Sequence, residues 1–191
     1  MYNAIVRIFQ VREEISELKK TKNMRKMTKV RIKNIGLYYL KRFESSVANL
    51  RGVLRRRINE YGYCNPDFNR QEAYDWVEEV LDGFKQIGYL DDKRYGELKL
   101  KSYMVAGKSP RYIQGKLREK GIDEKIIDNL MAEQEFNPFE SAMKLARKKR
   151  IGPYCLDEKL RQERRAKDLA ILVRAGFDYD VAISVIDGSA D

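Results

Sequence analysis

Apolar residues recur every three or four positions along most of this chain, which is the spacing of one face of an α-helix. The clearest example covers residues 109–130 and reads SPRYIQGKLREKGIDEKIIDNL. Within it, Ile113 and Leu117 lie one helical turn apart, and Gly121 follows one turn later. The pattern predicts an amphipathic helix that ends at this glycine and a second helix directly after it. No stretch alternates apolar and polar residues for long enough to predict a sheet.

The residues at the ends of this segment are those that begin and end helices. Ser109 followed by Pro110 predicts an N-cap with proline at the first helical position, where the missing N–H costs no hydrogen bond. Gly121 predicts a helix end, because glycine adopts a positive φ without a steric penalty. Asp123 then predicts the N-cap of a short helix over 124–132.

The same arrangement occurs three times along the chain. The third copy has Gly176 and Asp178 where the second has Gly121 and Asp123. The first copy, SSVANLRGVLRRRINEYG, has Ile58 in place of the glycine, so its helix is predicted to continue for another turn. A preceding helix is predicted for each copy, over 35–43, 93–105 and 138–149. Such repetition predicts an all-α fold of stacked three-helix units, an architecture typical of binding proteins.

The repeats also set the predicted domain boundaries. We expect three three-helix repeats, at 28–87, 88–136 and 137–187. A basic N-terminal extension is expected over 1–27, and a short tail over 188–191. Residues 4–11 could form a short strand, but their apolar spacing favours a helix. Translation could begin at Met1, Met24 or Met27, so no conclusion rests on the residues before Thr28.

The chain lacks the residues that most enzyme sites use. It contains no histidine, which excludes catalysis through an imidazole base, and it has neither a phosphate-binding loop nor a glycine-rich dinucleotide turn. Asp91 and Asp92 are predicted as the N-cap and first-turn acid of the helix over 93–105. Glu78 and Glu79 would point about 100° apart on a solvated helix face. We therefore predict no enzyme activity, no catalytic residues, no cofactor and no metal site.

Composition predicts a cytoplasmic protein. The longest uncharged apolar run is far shorter than the roughly 20 residues of a membrane span. Arg7 and Arg12 interrupt the first apolar stretch, so no signal peptide is predicted. Cys64 and Cys155 are far apart in sequence and are expected to be reduced thiols.

Positive charge is concentrated in the first third of the chain. Residues 1–60 contain 16 Lys and Arg against 5 Asp and Glu, whereas the whole chain has a net charge of +10. Basic helix faces bind phosphates without reading sequence. The candidate contacts to a nucleic acid or nucleoprotein filament are Arg51, Arg55, Arg56, Arg57, Arg147, Lys148, Lys149, Arg150, Arg164 and Arg165. A solvated helix face is the alternative for each cluster.

Four tyrosines near the basic segment 51–57 leave two alternatives open for the role of their rings. Their rings could stack on bases beside the arginines, or they could pack in or beside the core. The residues in question are Tyr38, Tyr39, Tyr61 and Tyr63.

Five segments in the same order resemble the RecX family of recombination regulators. They are YLKRFESSVANLRGVLRRR (39–57), GYLDDKRYGELK (88–99), GKSPRYIQGKLREKGIDEKII (107–127), ARKKRIGPY (146–154) and LVRAGFDYDVAISVI (172–186). The most specific element is the turn LDD, with a tyrosine three residues later and the glycine-terminated helix hairpin after it. The RIGPY segment and the long basic helix resemble the form found in alphaproteobacteria.

The resemblance implies three tandem three-helix repeats in an elongated, curved monomer. It also implies binding to the RecA filament, with limits on filament growth, strand exchange, ATP hydrolysis and coprotease activity, and no catalysis by the regulator. The filament contains DNA, so nonspecific phosphate contacts would suit the positive charge. The chain departs from the family pattern at Ile58 and in an insert over 61–70. The alternative function is a helical DNA-binding protein or transcriptional regulator, because helix–turn–helix readers share the outline.

Overall fold

The computed structural model describes residues 25–188. Residues 4–11, predicted as a helix, lie outside this range, as do Met1 and Met24. The described residues form nine α-helices and one 3₁₀-helix, and none of them forms a strand, so the predicted all-α fold is confirmed. The α-helices are α1 (Lys29–Leu40), α2 (Val47–Cys64), α3 (Arg70–Gln86), α4 (Asp92–Val105), α5 (Pro110–Glu119), α6 (Glu124–Ala132), α7 (Pro138–Lys149), α8 (Glu158–Arg174) and α9 (Tyr179–Ile186).

Backbone contacts divide the described residues into two compact units. The first contains 25–44 and Leu50–Tyr89, and the second contains Ser45–Asn49 and 90–188. The first unit therefore holds α1, α3 and most of α2, and the second holds α4 to α9. The predicted boundaries of the three repeats remain predictions.

In the first unit, α1 packs against α3. Ile32 and Gly36 of α1 are buried, and Phe84 of α3 is 1% exposed. A Cβ atom on Gly36 would lie 2.6 Å from Cε2 of Phe84, so the missing side chain lets the ring approach α1 closely. The predicted apolar stripe of the first copy is confirmed as part of the core, because three of its side chains are fully buried: Leu50, Leu54 and Ile58.

The first helix differs from the one predicted over 35–43. It begins at Lys29, because Thr28 Oγ1 accepts a hydrogen bond from the Arg31 N–H at 3.2 Å and caps the helix. It also ends earlier, at Leu40. Basic and apolar residues alternate in its first turns, KVRIKN, and this pattern hides the helical period. The prediction for α2 is confirmed, since the helix continues past Ile58 to Cys64.

The second unit contains two cores, each made by three successive helices. Helices α4, α5 and α6 pack together around Tyr95, Leu100, Ile113, Leu117, Ile122, Ile127 and Leu130. Helices α7, α8 and α9 pack around Ala142, Ala146, Ile151, Leu169, Leu172, Phe177, Ala182, Val185 and Ile186. Burial of these side chains provides the main favourable free energy of folding.

The predicted helix ends are mostly confirmed. Ser109 and Asp123 each accept a hydrogen bond from a backbone N–H of the next first turn, at 3.1 Å and 2.9 Å. Pro110 is the first residue of α5, and Gly121 has a φ of 71°. Asp178 occupies the predicted N-cap position of α9, but its side chain makes no capping hydrogen bond.

Two serines in the second unit make the same double contact. Ser46 and Ser109 each cap a helix by accepting a backbone N–H, at 3.1 Å in both cases. Each hydroxyl also donates to a carbonyl oxygen at the end of a distant helix, Ser46 to Lys120 at 2.6 Å and Ser109 to Ala175 at 2.7 Å. Each hydroxyl therefore joins the start of one helix to the end of another.

Glycine follows each of the two acceptor residues, and it is required there for two reasons. Gly121 and Gly176 have φ values of 71° and 89°, which most other residues adopt only with strain. A Cβ atom on Gly176 would lie 2.7 Å from Ser109 Oγ, and one on Gly121 would overlap the Cβ of Ala48. The chain thus needs glycine both for backbone conformation and for close approach.

We expect Gly176→Ala to lower the free energy of unfolding by about 1–3 kcal/mol, because alanine strains the backbone and collides with Ser109. Gly115→Ala is the matched control, since an added Cβ within α5 meets no atom within 4 Å. It should raise the free energy of unfolding by about 0.5–1 kcal/mol through helix propensity. Urea denaturation measures both changes. Equal effects of the two substitutions would contradict this account.

We also expect Ser109→Ala to lower the free energy of unfolding by about 1–2 kcal/mol, because both the cap and the bond to Ala175 are lost. Ser102→Ala on the exposed side of α4 is the control and should be neutral or slightly stabilising. Urea denaturation of both variants provides the comparison. A neutral Ser109→Ala would show that the double contact contributes nothing to stability.

Candidate functional site

Two of the predicted contact residues on α2 bind the same carboxylate of α3. Arg51 donates to Glu78 through Nε at 2.9 Å and through Nη2 at 2.8 Å, and Arg55 donates through Nη2 at 3.0 Å. The Arg55 guanidinium also lies 5.1 Å from the centroid of the Tyr74 ring. Arg51 and Arg55 therefore connect α2 to α3, and part of their hydrogen-bonding capacity is used inside the molecule.

Glu78 and Glu79 lie on a solvated face of α3, as predicted, with side chains 40% and 56% exposed, but both are also ion-paired. Glu78 binds the two arginines, and Glu79 forms an ion pair with Lys29 of α1. The hydrogen bond from Arg51 is the main reason that the pKa of Glu78 lies below its ordinary value. Adjacent carboxylates on α3 thus bind two different helices because they point in different directions.

The other two arginines of this cluster are more available to a ligand. Arg56 is exposed and forms no hydrogen bond or ion pair with the described part of the chain. Arg57 Nη1 lies 3.1 Å from Oε2 of Glu60 on the same helix, and both side chains are at least half exposed. Exposed pairs of this spacing contribute only about 0.3–0.5 kcal/mol, so a phosphate could displace Glu60.

A groove in the first unit brings Arg57 together with basic residues that sequence analysis did not select. Its volume is about 1250 Å³, and its basic lining also includes Arg25, Lys26 and Arg31. Nε of Arg31 is buried and has no hydrogen-bond partner among the described residues. Within the described part of the chain, Glu60 is the one carboxylate that lines the groove. The groove therefore combines several cations with little opposing charge.

The four tyrosines left open by the sequence divide into two groups. Tyr38 and Tyr63 line the groove and are 59% and 74% exposed. Tyr61 is buried, with its ring 4.8 Å from that of Phe68, and Tyr39 is half-buried. The guanidinium of Arg42 already lies 4.3 Å from the centroid of the Tyr38 ring. Tyr63 is therefore the more available ring for stacking, whereas Tyr61 packs in the core.

One sequence signal could have identified the groove residues. Arg31 and Tyr38 are seven residues apart, with Asn34 and Ile35 between them at helical spacing, so all four share one face of α1. The late predicted start of the first helix concealed this face. The capping residue Thr28 would have revealed it.

The second basic cluster lies at the end of α7 in the second unit. Arg147, Lys148 and Lys149 form its last turn, and Arg150 follows with a φ of 54°. All four side chains are exposed, and none forms an ion pair within the described residues. Positive charge here is favoured by the helix dipole, so the cluster stabilises α7 as well as offering free cations.

The third basic cluster lies on α8, and most of its arginines bind groups within the second unit. Arg165 donates to both carboxylate oxygens of Asp187, at 2.7 Å and 2.5 Å, and these bonds lower the pKa of Asp187. Arg161 donates to the carbonyl oxygens of Ile186 and Gly188. These arginines hold the end of α9 against α8. Arg165 is therefore less free to contact a ligand than Arg56.

Arg164 lies beside a buried carboxylate that sequence analysis did not single out. Asp168 is 2% exposed, and its Oδ2 accepts the Gly152 N–H at 3.2 Å. Its Oδ1 is buried without a hydrogen bond, and the Arg164 Nη2 is 3.8 Å away. The Asp168 carboxylate therefore binds the first residue of the 3₁₀-helix, Gly152, which has a φ of 56°. Filament contact by Arg164 and Arg165 stays a prediction.

Comparison with known proteins decides the family. The family model described as RecX, second three-helix domain, matches residues 91–131. A regulatory protein RecX from Myxococcus xanthus (strain DK1622) is 35% identical over 170 residues, which cover 88% of this chain and 90% of the relative. The chain belongs to the RecX family. The resemblance noted in its five sequence segments is confirmed.

Other RecX proteins are similar over much of the chain. The one from Agrobacterium fabrum (strain C58 / ATCC 33970) is 29% identical over 154 residues, covering 81% of this chain and 80% of the relative. The one from Vibrio vulnificus (strain CMCP6) is 27% identical over 127 residues, covering 66% and 74%. The RecX domain match at 91–131 coincides with α4, α5 and α6. None of the described helices has the length and apolar character to cross a membrane.

The ion pair at Glu78 generates a prediction about pH. Because the folded state lowers the pKa of Glu78, its carboxylate contributes stability above the ordinary carboxyl pKa, and this contribution is lost as pH falls through the lowered value. The free energy of unfolding should therefore fall as pH drops below the ordinary carboxyl pKa and through the lowered pKa of Glu78. Glu78→Gln should show a smaller fall in urea denaturation across this range.

Asp75→Asn is the control, since it removes an exposed carboxylate from the same helix that binds no arginine. It should keep the pH dependence of the unchanged protein. An identical pH dependence in all three proteins would show that the two arginines do not stabilise the fold through Glu78.

Proposed function

We propose that this RecX-family chain is a regulatory protein that binds the RecA nucleoprotein filament and inhibits the recombinase, ATPase and coprotease activities of RecA. It would act by binding and not by catalysis, as a cytoplasmic monomer. The relatives are named regulatory protein RecX, which supports regulation. The observation that carries the proposal is the cationic groove of the first unit together with the free guanidinium of Arg56.

The first unit has the chemistry that a nucleoprotein surface requires. Arg31 and Arg57 offer guanidinium groups to phosphates, and Tyr63 offers an exposed ring beside them. Arg51 and Arg55 are held by Glu78, so in this proposal they mainly orient α2. Phosphate contacts release counterions, and filament binding should therefore weaken steeply with salt. The exposed cations of 147–150 are a second contact in the same proposal.

The direct test is the DNA-dependent ATPase of RecA with the purified chain added at substoichiometric amounts. We expect slower ATP hydrolysis and shorter filaments in electron micrographs, because a bound regulator limits filament growth. Unchanged hydrolysis together with unchanged filament length would overturn the inhibitory proposal.

We expect Arg56→Glu to raise the concentration needed for half-inhibition by about five- to tenfold, because a free phosphate-binding cation becomes an anion. Circular dichroism and urea denaturation should be unchanged, since Arg56 is exposed and makes no hydrogen bond or ion pair with the described residues. Arg51→Glu would instead place a second carboxylate beside Glu78 and destabilise the unit.

Lys125→Glu is the matched control, because it makes the same charge change at an exposed position of α6 without an ion pair. It should inhibit RecA as well as the unchanged protein does. Equal loss of inhibition in both variants would mean that net charge matters and the position on α2 does not.

The alternative is a sequence-reading DNA-binding protein, favoured by the helix–turn–helix outline of α5 and α6. Its recognition helix would be α6, which begins with Glu124 after the cap Asp123. Glu124 is bound by Arg118, whose hydrogen bond lowers the pKa of that carboxyl, so an anion stands where phosphates would approach. Gel shifts on duplex DNA without RecA discriminate, since sequence-specific retention would favour this alternative.

A further inference from the structure

A smaller cavity in the second unit lies outside the clusters described so far, except for Lys149 at its rim. Its volume is about 360 Å³, near the lower end of the range of about 300–1,000 Å³ that is typical of ligand pockets. Three parts of the chain form it: the turn between α4 and α5, the last turns of α7, and the end of α8 with the turn that follows.

The floor of this cavity is apolar and is held in place by close backbone contacts. Its apolar lining consists of Leu145, Ile171, Ala175 and Phe177. The Ser109 hydroxyl fixes the Ala175 carbonyl at 2.7 Å. At the opposite wall, a Cβ atom on Gly107 would lie only 3.1 Å from the Cβ of Lys144, so α7 passes very close to the turn. A preformed apolar floor can bind a ligand without a large loss of conformational entropy in the protein.

The charged side chains at the rim are all positive. Lys108, Lys149 and Arg174 line the cavity, and no carboxylate is among its lining residues. Lys149 and Arg174 are exposed. Arg174 uses its Nε to donate to the Ala170 carbonyl at 3.0 Å, which leaves its two Nη groups for a ligand. An anionic group beside an apolar one is therefore the complementary ligand.

The cavity suits a peptide better than a nucleic acid. Tyr112 is the aromatic ring at its rim, but the ammonium groups of Lys108 and Lys116 already lie 4.9 Å and 5.6 Å from its centroid. Its ring also makes an edge contact with Tyr103. Base stacking on Tyr112 is thus disfavoured, and a sugar–phosphate backbone has no apolar group to cover the apolar floor.

We infer that this cavity binds a segment of a partner protein in which an apolar side chain is flanked by carboxylates. The apolar side chain would cover Ile171 and Phe177, and the carboxylates would pair with Arg174, Lys149 and Lys108. The inference does not depend on RecA as the partner, because it rests on the chemistry of the cavity alone.

The test uses the full chain and a fluorescein-labelled peptide, Asp-Asp-Phe-Asp-Asp, followed by fluorescence polarisation. We expect saturable binding that is lost when serine replaces the phenylalanine or when lysine replaces the aspartates. Arg174→Glu and, separately, Lys149→Glu should each weaken binding by about tenfold or more. Lys125→Glu, with the same change in net charge outside the cavity, should bind as the unchanged chain does. Circular dichroism checks that each variant is folded.

Several outcomes would overturn the inference. These are no saturable binding, equal binding of the serine peptide, equal weakening by Lys125→Glu, or complete displacement of the peptide by oligothymidylate, which would indicate a nucleic-acid site. If Arg174→Glu does not fold, Lys149→Glu decides alone. The assay contains neither RecA nor DNA, so its failure leaves the RecA proposal standing, and a failure of the ATPase test leaves this inference standing.

Discussion

In the second unit, the hydroxyl groups of Ser46 and Ser109 fix where the start of one helix meets the end of another. A serine hydroxyl can accept one hydrogen bond and donate another, and here the two bonds join the start of one helix to the end of a distant one. The carbonyls that they bind would otherwise be unpaired at a helix end. The contact requires glycine at 121 and 176, because any side chain there would occupy the space of the serine segment.

Positive side chains in this molecule either hold helices together or remain available to a ligand, and neighbouring residues differ in this respect. Arg51 and Arg55 are bound by Glu78, and Arg165 is bound by Asp187, so these cations hold helices together. Arg56 and the 147–150 segment keep their charges free. A basic cluster in the sequence therefore overstates the number of cations that are available to a phosphate, since carboxylates on or next to neighbouring helices already bind some of them.

Local chemistry made the helix ends predictable. Ser109, Gly121 and Asp123 act on backbone groups within a few residues, so sequence alone identified their roles. The start of α1 is obscured in the sequence because basic and apolar residues alternate there, although Thr28 caps the helix. The face of α1 that carries Arg31 follows from the sequence once Thr28 is recognised as a cap, but its meeting with the end of α2 to form the groove does not. The role of Glu78 could not be predicted either, because it depends on which helices meet.

The amino-acid sequence by itself determined that this chain is helical, where most of its helices stop, and which family it resembles. These properties follow from interactions over one or two helical turns and from motifs in order along the chain. Only the tertiary structure decided which arginines are free, that Ser46 meets Lys120, and that three cations share one apolar cavity. Those properties join residues far apart in sequence, whose meeting is set by the packing of whole helices.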